Sequence, residues 1–222
     1  MICTSLNPIP LTADGFRDLA RRVLDPVASA LVGRRAPSDF DLNRDFERDI
    51  QAEAGMPPAE TPAAVLIAAV PRQEITLLFT RRTEHLPAHP GQIAFPGGKT
   101  EKSDSDALET ALREAQEEIG LDPALVEPLG VLDSYRTGTG FRITPVVALV
   151  DPGFELKLNQ DEVADAFEVP FRFLMDKGNH QVHVRTIAGR ERRFYAMPYE
   201  ERFIWGATAG ILRNMHERFR LS

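Results

Sequence analysis

The stretch "FPGGKTEKSDSDALETALREAQEEIGLD", residues 95–122, sets two glycines behind a proline and then crowds three glutamates into five positions. Asp106 followed by Glu109 makes a capping pair, and Gly120 with Pro123 makes a C-terminal stop, so the spacing predicts a helix over 107–119. At about 100° per residue, Leu108, Ala111, Leu112, Ala115 and Ile119 share one sector, the expected core face. Glu114, Glu117 and Glu118 share a second sector beside it. Glu109, Arg113 and Gln116 share a third, so Arg113 is expected to point away from the three carboxylates.

Like charges at i,i+3 and i,i+4 cost an exposed helix about 0.2–0.5 kcal/mol each, and no lysine or arginine of that sector offsets them. A divalent cation reverses the sign, because hard ions such as Mg²⁺ take carboxylate oxygens and substrate phosphates as ligands. Three glutamates in one window are ordinarily a solvated face, and Pro-Gly-Gly is ordinarily a turn. Their joint occurrence at fixed distance, with an arginine directly before the first glutamate, is far more specific.

Outward from this helix the chain mixes strands and helices. "AAVLIAAVPRQEITLLFTRR" (63–82) reads as two strands joined by a short turn, and "GQIAF" (91–95) as a short strand running into the glycines. Further strands are expected at "GVLDSYRT", "FRITPVVALV", "VHVRTIA" and "RRFYAMPY", with shorter helices near Glu162–Phe167 and Ala207–Phe219. Trp205 and Phe203 are expected in the core, since aromatic residues of a strand pack by default. No strict strand–helix alternation appears, which favours an α+β or α/β/α sandwich around a mixed sheet. Near the start, Thr12 can cap a helix whose Phe16, Leu19, Ala20, Val23 and Leu24 form an apolar stripe. Residues 1–62 are read as an N-terminal helical extension and connecting segment, and 63–222 as the main domain.

The chain has 222 residues and a formal net charge of −7, which argues against a broad nucleic-acid interface, since phosphate neutralisation requires a basic surface. Its single cysteine, Cys3, excludes an intramolecular disulfide and a cysteine-based zinc site and suits a reducing compartment. The longest apolar run, Ala63–Val70, falls far short of the roughly 20 residues of a membrane span, and the first residues do not read as a signal peptide. A cytoplasmic protein with no membrane partner is expected.

The segment "GGKTEKSDSDALETALREAQEEIGL" resembles the Nudix box: Arg113, Glu114, Glu117, Glu118, Gly120 and Leu121 match by position, with Ala115 as the aliphatic. The first acidic position departs from the pattern. Asp104 stands there with one extra residue before Arg113, flanked in the neighbourhood by Glu101 and Ser105. The resemblance implies an α/β/α Nudix fold and hydrolysis of a nucleoside diphosphate linked to another moiety. It further implies Mg²⁺ or Mn²⁺ held by Glu114, Glu117, Glu118 and the Gly98 carbonyl. Which glutamate is the general base stays open among Glu117, Glu118 and Glu162, the last lying outside the box. Arg113 is expected to position the helix or an acidic residue of the loop.

Upstream, "LLFTRRTEHLPAHPGQIAFPGG" (77–98) resembles the signature of the coenzyme A pyrophosphatase branch of that family, matching at Leu78, Thr80, Arg82, Gly91, Phe95, Pro96, Gly97 and Gly98, while Pro87 replaces its second arginine. Arg82, Arg81, Gly91 and Gly97 are therefore candidate substrate-binding residues. An arginine suits coenzyme A, which carries a 3′-phosphate besides its pyrophosphate. The expected products are 3′,5′-ADP and 4′-phosphopantetheine. Nudix hydrolysis of ADP-ribose, dinucleotides or nucleoside triphosphates is the alternative, and a non-catalytic nucleotide sensor a third reading. A homodimer is one arrangement open to the chain.

Overall fold

The computed structural model describes residues 12–27, 38–43, 60–187 and 190–220. Cys3 and most of the connecting segment read between residues 33 and 62 lie outside the described residues.

Two long strands carry the architecture. In β1 (Thr61–Pro71), Ala64, Leu66, Ala68 and Val70 enter one apolar cluster while Ile67 and Ala69 enter another, and all six are fully buried. A strand apolar on both faces has to be central. It runs parallel to β7 (Phe141–Val150), in register from Thr61↔Phe141 to Ala69↔Leu149. β7 repeats the alternation, with Val146, Ala148 and Val150 on one side and Val147 and Leu149 on the other. β5 (Val126–Val131) and the short β6 (Tyr135–Arg136) pair antiparallel with β7.

On its other side β1 forms the expected hairpin with β2 (Ile75–Arg82), paired only from Ala69↔Leu77 to Pro71↔Ile75. Beyond that point two short strands fill the space between them: β3 (Ile93–Ala94) pairs with β2, and β4 (Gly97–Lys99) pairs with β1. Phe95 and Pro96 cross from one to the other, and the Leu66 N–H donates to the Pro96 carbonyl at 2.8 Å. The glycine pair is thus fixed to the central strand. β8 (Val163–Pro170) lies along the remaining edge of β2.

The predicted acidic helix is α3 (Ala107–Ile119), capped by Asp106 and ended by Gly120 at φ 68°. It covers one face of the sheet through Ala111, Ala115 and Ile119. The opposite face is covered by α5 (Ala207–Arg220) and α1 (Ala13–Val23), completing the α/β/α sandwich. α1 shares a single core with α5: Phe16 meets Phe171 edge-on at 5.2 Å and lies 6.0 Å from Phe219. Arg218 of α5 donates to the Val23 carbonyl at 2.6 Å and pairs with Asp25 at 2.8 Å and Asp133 at 3.2 Å.

A second, antiparallel sheet is built from β9 (Gln181–Ile187), β10 (Arg190–Tyr199) and β11 (Arg202–Trp205), entered through α4 (Phe171–Met175). The short α2 (Asp39–Leu42) leads to Asn43, whose side-chain amide donates to the Arg193 carbonyl and accepts from the Arg193 N–H, at 2.9 and 2.8 Å.

Three expectations are corrected here. Residues 162–167 are not helical: from Val163 onward they form β8, because Phe167 and Val169 face one core cluster and Ala166 the other, as strand alternation requires, and the free edge of β2 offers a ladder. Phe203 is not core but 41% exposed, on a face where its ring meets His183 at 5.4 Å. In α3, Leu108 and Leu112 are only partly buried and border a groove on the outer flank, whereas Glu118 takes an inward position.

Candidate functional site

α3, the Gly97–Gly98 turn and the start of β8 meet at one place. Glu118 is 6% exposed and accepts a hydrogen bond from the Gly97 N–H at 3.2 Å. Its carboxyl is pushed up to about 8, first by burial and then by Glu114 and Glu162, while the Gly97 N–H and Arg82 act in the opposite direction. Glu114 is half-buried and also raised, again chiefly by burial, with Glu117 and Glu162 adding repulsion and Arg113 opposing. The four glutamates Glu114, Glu117, Glu118 and Glu162 therefore feel one another even though Glu162 comes from another element.

Gly98 is where the backbone and the carboxylates come closest. A Cβ there would fall 2.5 Å from the Glu114 carboxyl group, so a glycine lets the turn lie directly against that side chain. At Gly97 (φ 153°) a Cβ would lie 2.4 Å from the Ala64 carbonyl. One glycine serves the carboxylate and the other the central strand.

Glu162 is held by what wraps the end of α3. Asn159 donates its N–H to the Glu118 carbonyl at 2.9 Å, Glu162 N–H donates to the Asn159 carbonyl at 3.0 Å, and Thr83 N–H donates to the Glu162 carbonyl at 2.9 Å. Glu162 thus stands beside the end of β2, where Arg82 lies next to Val163 in the ladder. Arg82 is half-buried, and its Nε is buried without a hydrogen-bond partner among the described residues. Arg81, its neighbour, is exposed. Gly91 makes a turn at φ 66° against Glu84, whose Oε1 a Cβ would approach to 2.5 Å.

Arg113 does not point away from the carboxylates, which corrects the helical-sector expectation. Its Nη1 lies 3.0 Å from Glu114 Oε1 and 3.1 Å from Glu117 Oε2, while Nε and Nη2 grip Asp104 at 3.1 Å each and Nη2 also donates to the Lys99 carbonyl at 3.0 Å. A long side chain crosses the sector boundary that its Cα position defines. Asp104, at the irregular first acidic position, further accepts from the Glu101 N–H and from the Thr110 hydroxyl, whereas Glu101 and Ser105 are exposed. No spacing rule marks Asp104 as the anchor of Arg113; a carboxylate nine residues from an arginine across a loop gives no signal in the sequence.

Among the described residues no three His, Cys, Asp or Glu side chains already converge as a ligand set, since Glu117 is turned outward to Arg113. The donors nevertheless fit a hard divalent cation. Glu118 is buried and accepts a backbone N–H from Gly97, Glu114 lies against a backbone turn, and all the donors are oxygens.

An acidic helix face set against a Gly-Gly turn offers oxygen donors suited to metal-assisted chemistry on a phosphate ester. The family model for the NUDIX domain matches residues 60–188, and the chain belongs to the Nudix family and is a Nudix hydrolase. It is 42% identical over 159 residues to the uncharacterized Nudix hydrolase NudL of Yersinia enterocolitica, a match covering 72% of this chain and 82% of that one. It is 40% identical over 153 residues to the protein of the same name from Escherichia coli K12, covering 69% and 80%. Similar solved structures include the Nudix hydrolase RenU of M. smegmatis, at 16% identity and TM-score 0.49 over 72% of this chain and 85% of that chain. Another is the Nudix domain of Shewanella oneidensis NrtR in complex with ADP-ribose, at 16% identity and TM-score 0.46 over 78% and 99%. Nudix hydrolases use divalent metal ions, so the fit of the carboxylate donors and the family requirement agree.

Proposed function

We propose that the protein is a cytoplasmic coenzyme A diphosphatase that adds water across the pyrophosphate of coenzyme A or a close derivative, giving 3′,5′-ADP and a 4′-phosphopantetheine species with Mg²⁺ or Mn²⁺. The observation that carries the substrate is Arg82: a half-buried guanidinium beside the glutamates, with a buried Nε left without a partner. A half-buried cation of this kind suits an anion from solution. It sits in the stretch whose residues resemble the coenzyme A branch.

In this reading Glu114, Glu118 and the Gly98 carbonyl would hold the ion, and Glu117, now paired with Arg113, would be the further carboxylate ligand. The ion, when bound, neutralises pyrophosphate charge and lowers the pKa of a water. Glu162 stands outside the helix next to Glu114 and Glu118 and is the group we assign to accept the proton of the attacking water. Gly97 holds Glu118 through its N–H. Arg113 acts as a positioning residue, since its fork is spent on Asp104 and two glutamates. Arg81 lies at the rim and Gly91 shapes the turn, so both support the ligand less directly than Arg82.

The test is to incubate the purified protein with coenzyme A and Mg²⁺ or Mn²⁺ and follow products by mass spectrometry, alongside Glu118→Gln. Metal-dependent 3′,5′-ADP that disappears in the variant is expected. Intact coenzyme A with turnover of ADP-ribose, a dinucleotide or a nucleoside triphosphate would shift the substrate while keeping the site. Tight nucleotide binding without turnover of any of them would overturn the enzyme reading in favour of a sensor.

A further inference from the structure

Far from the glutamates, at the junction of α4 and α5, two histidines meet. His180 closes the turn after α4 and His216 lies on α5. Their rings are 5.1 Å apart at 71°. His180 Nε2 bonds to the Leu174 carbonyl at 2.7 Å, and His216 Nδ1 bonds to the Met175 carbonyl at 2.8 Å. A carbonyl only accepts, so each of these nitrogens carries a proton. Both carbonyls belong to the last turn of α4, whose acceptors have no partner within the helix.

Capping that helix uses one nitrogen per ring. In the neutral rings the other two, His180 Nδ1 and His216 Nε2, are then lone-pair acceptors, and both are buried with no hydrogen-bond partner among the described residues. His216 is only 7% exposed. Leaving a buried polar atom unmatched is destabilising, and here two such atoms belong to neighbouring rings.

We propose that His180 Nδ1 and His216 Nε2 bind a borderline transition-metal cation, Zn²⁺ foremost, at a site separate from the carboxylate centre. Imidazole nitrogens suit Zn²⁺, Cu²⁺ and Ni²⁺ rather than Mg²⁺. With metal–nitrogen bonds of about 2.1 Å, two rings sharing a tetrahedral ion have centroids on the order of 5 Å apart. Ordinary ring packing gives the same spacing. What distinguishes this pair is that one nitrogen of each ring is already fixed by a backbone carbonyl, the arrangement that orients metal-binding histidines, while the other is buried with no hydrogen-bond partner among the described residues.

Burial lowers the His180 pKa and so favours the neutral form that a cation requires. Of the charged groups that His180 feels, Arg213 opposes a cation and Asp176 favours one, the latter with one oxygen engaged by the Gly178 N–H at 2.8 Å. Two nitrogens come from the protein. Ligands from solvent would complete the shell, entering from the side of His180, which is only half-buried.

The experiment is titration of the metal-stripped full chain with Zn²⁺ in excess Mg²⁺, which competes at the carboxylates but not at imidazoles, read by calorimetry and by histidine ring NMR. One equivalent of Zn²⁺ is expected to shift the His180 and His216 ring signals and raise the melting temperature. In His180→Gln the affinity should fall by at least about tenfold. His216→Gln is the matching variant; if it does not fold, His180→Gln and the wild-type ring signals decide. Zn²⁺ that binds without moving either ring, or binds His180→Gln as well as wild type, overturns the proposal.

Discussion

Arg113 and Asp104 form a two-point ion pair, Nε to Oδ1 and Nη2 to Oδ2 at 3.1 Å each, and the Asp104 side chain is only 2% exposed. The pair joins α3 to the loop before it, and the guanidinium holds the Asp104 carboxyl down at about 2. A carboxyl whose folded pKa is depressed adds stability above its unfolded pKa, and that stability is lost as pH falls from about 4 toward 2. We expect Asp104→Asn to lower unfolding stability by about 1–2 kcal/mol at neutral pH and to remove this acid-limb dependence, measured by denaturant titration at stepped pH.

Glu118 has the opposite sign. Its folded pKa of about 8 lies well above the ordinary 4.5, so the folded metal-free protein keeps a proton that the unfolded chain has lost. Stability in a chelating buffer should therefore fall as pH rises between about 4.5 and 8. Glu118→Gln should flatten that slope and raise the metal-free melting temperature while abolishing hydrolysis. A steeper slope in the variant would contradict this.

The two glycines of the turn should fail differently. Gly98→Ala meets only a movable carboxyl group, so the melting temperature should hold while kcat falls about a hundredfold as Glu114 is displaced. Gly97→Ala meets the backbone of β1 and should cost about 2 kcal/mol or more of stability. Thermal melts beside initial rates separate them.

For the adjacent arginines, Arg82→Gln should raise KM for coenzyme A by about ten- to a hundredfold, the worth of a charge-assisted contact. Arg81→Gln, on an exposed side chain, should change it by less than about twofold. Equal effects would place the ligand elsewhere.

The sequence made α3 legible to the residue at both ends because caps are local: Asp106 and Gly120 act within one turn of themselves. The burial of β1 and β7 was legible from runs of small and branched apolar residues. Arg113 was misjudged because sector geometry follows Cα directions, and a guanidinium reaches well beyond them. β8 was misjudged because "EVADAF" carries more helix formers, Glu162, Ala164 and Ala166, than strand formers, Val163 and Phe167, and the open edge of β2, which decides it, lies about eighty residues earlier in the chain. The packing of α1 was half legible: its stripe was evident, but nothing near Phe16 announces that its companions are Phe171 and Phe219.

That distant companionship bears on how the protein is made. The contact between Arg218 and the Val23 carbonyl spans 195 residues. At a synthesis rate of about 5–20 residues per second, α1 waits roughly 10–40 s on the ribosome before its partner helix exists. Through that interval the stripe of Phe16, Ala20 and Val23 is an uncovered amphipathic surface, and a chaperone that holds such surfaces would find its substrate there while synthesis continues.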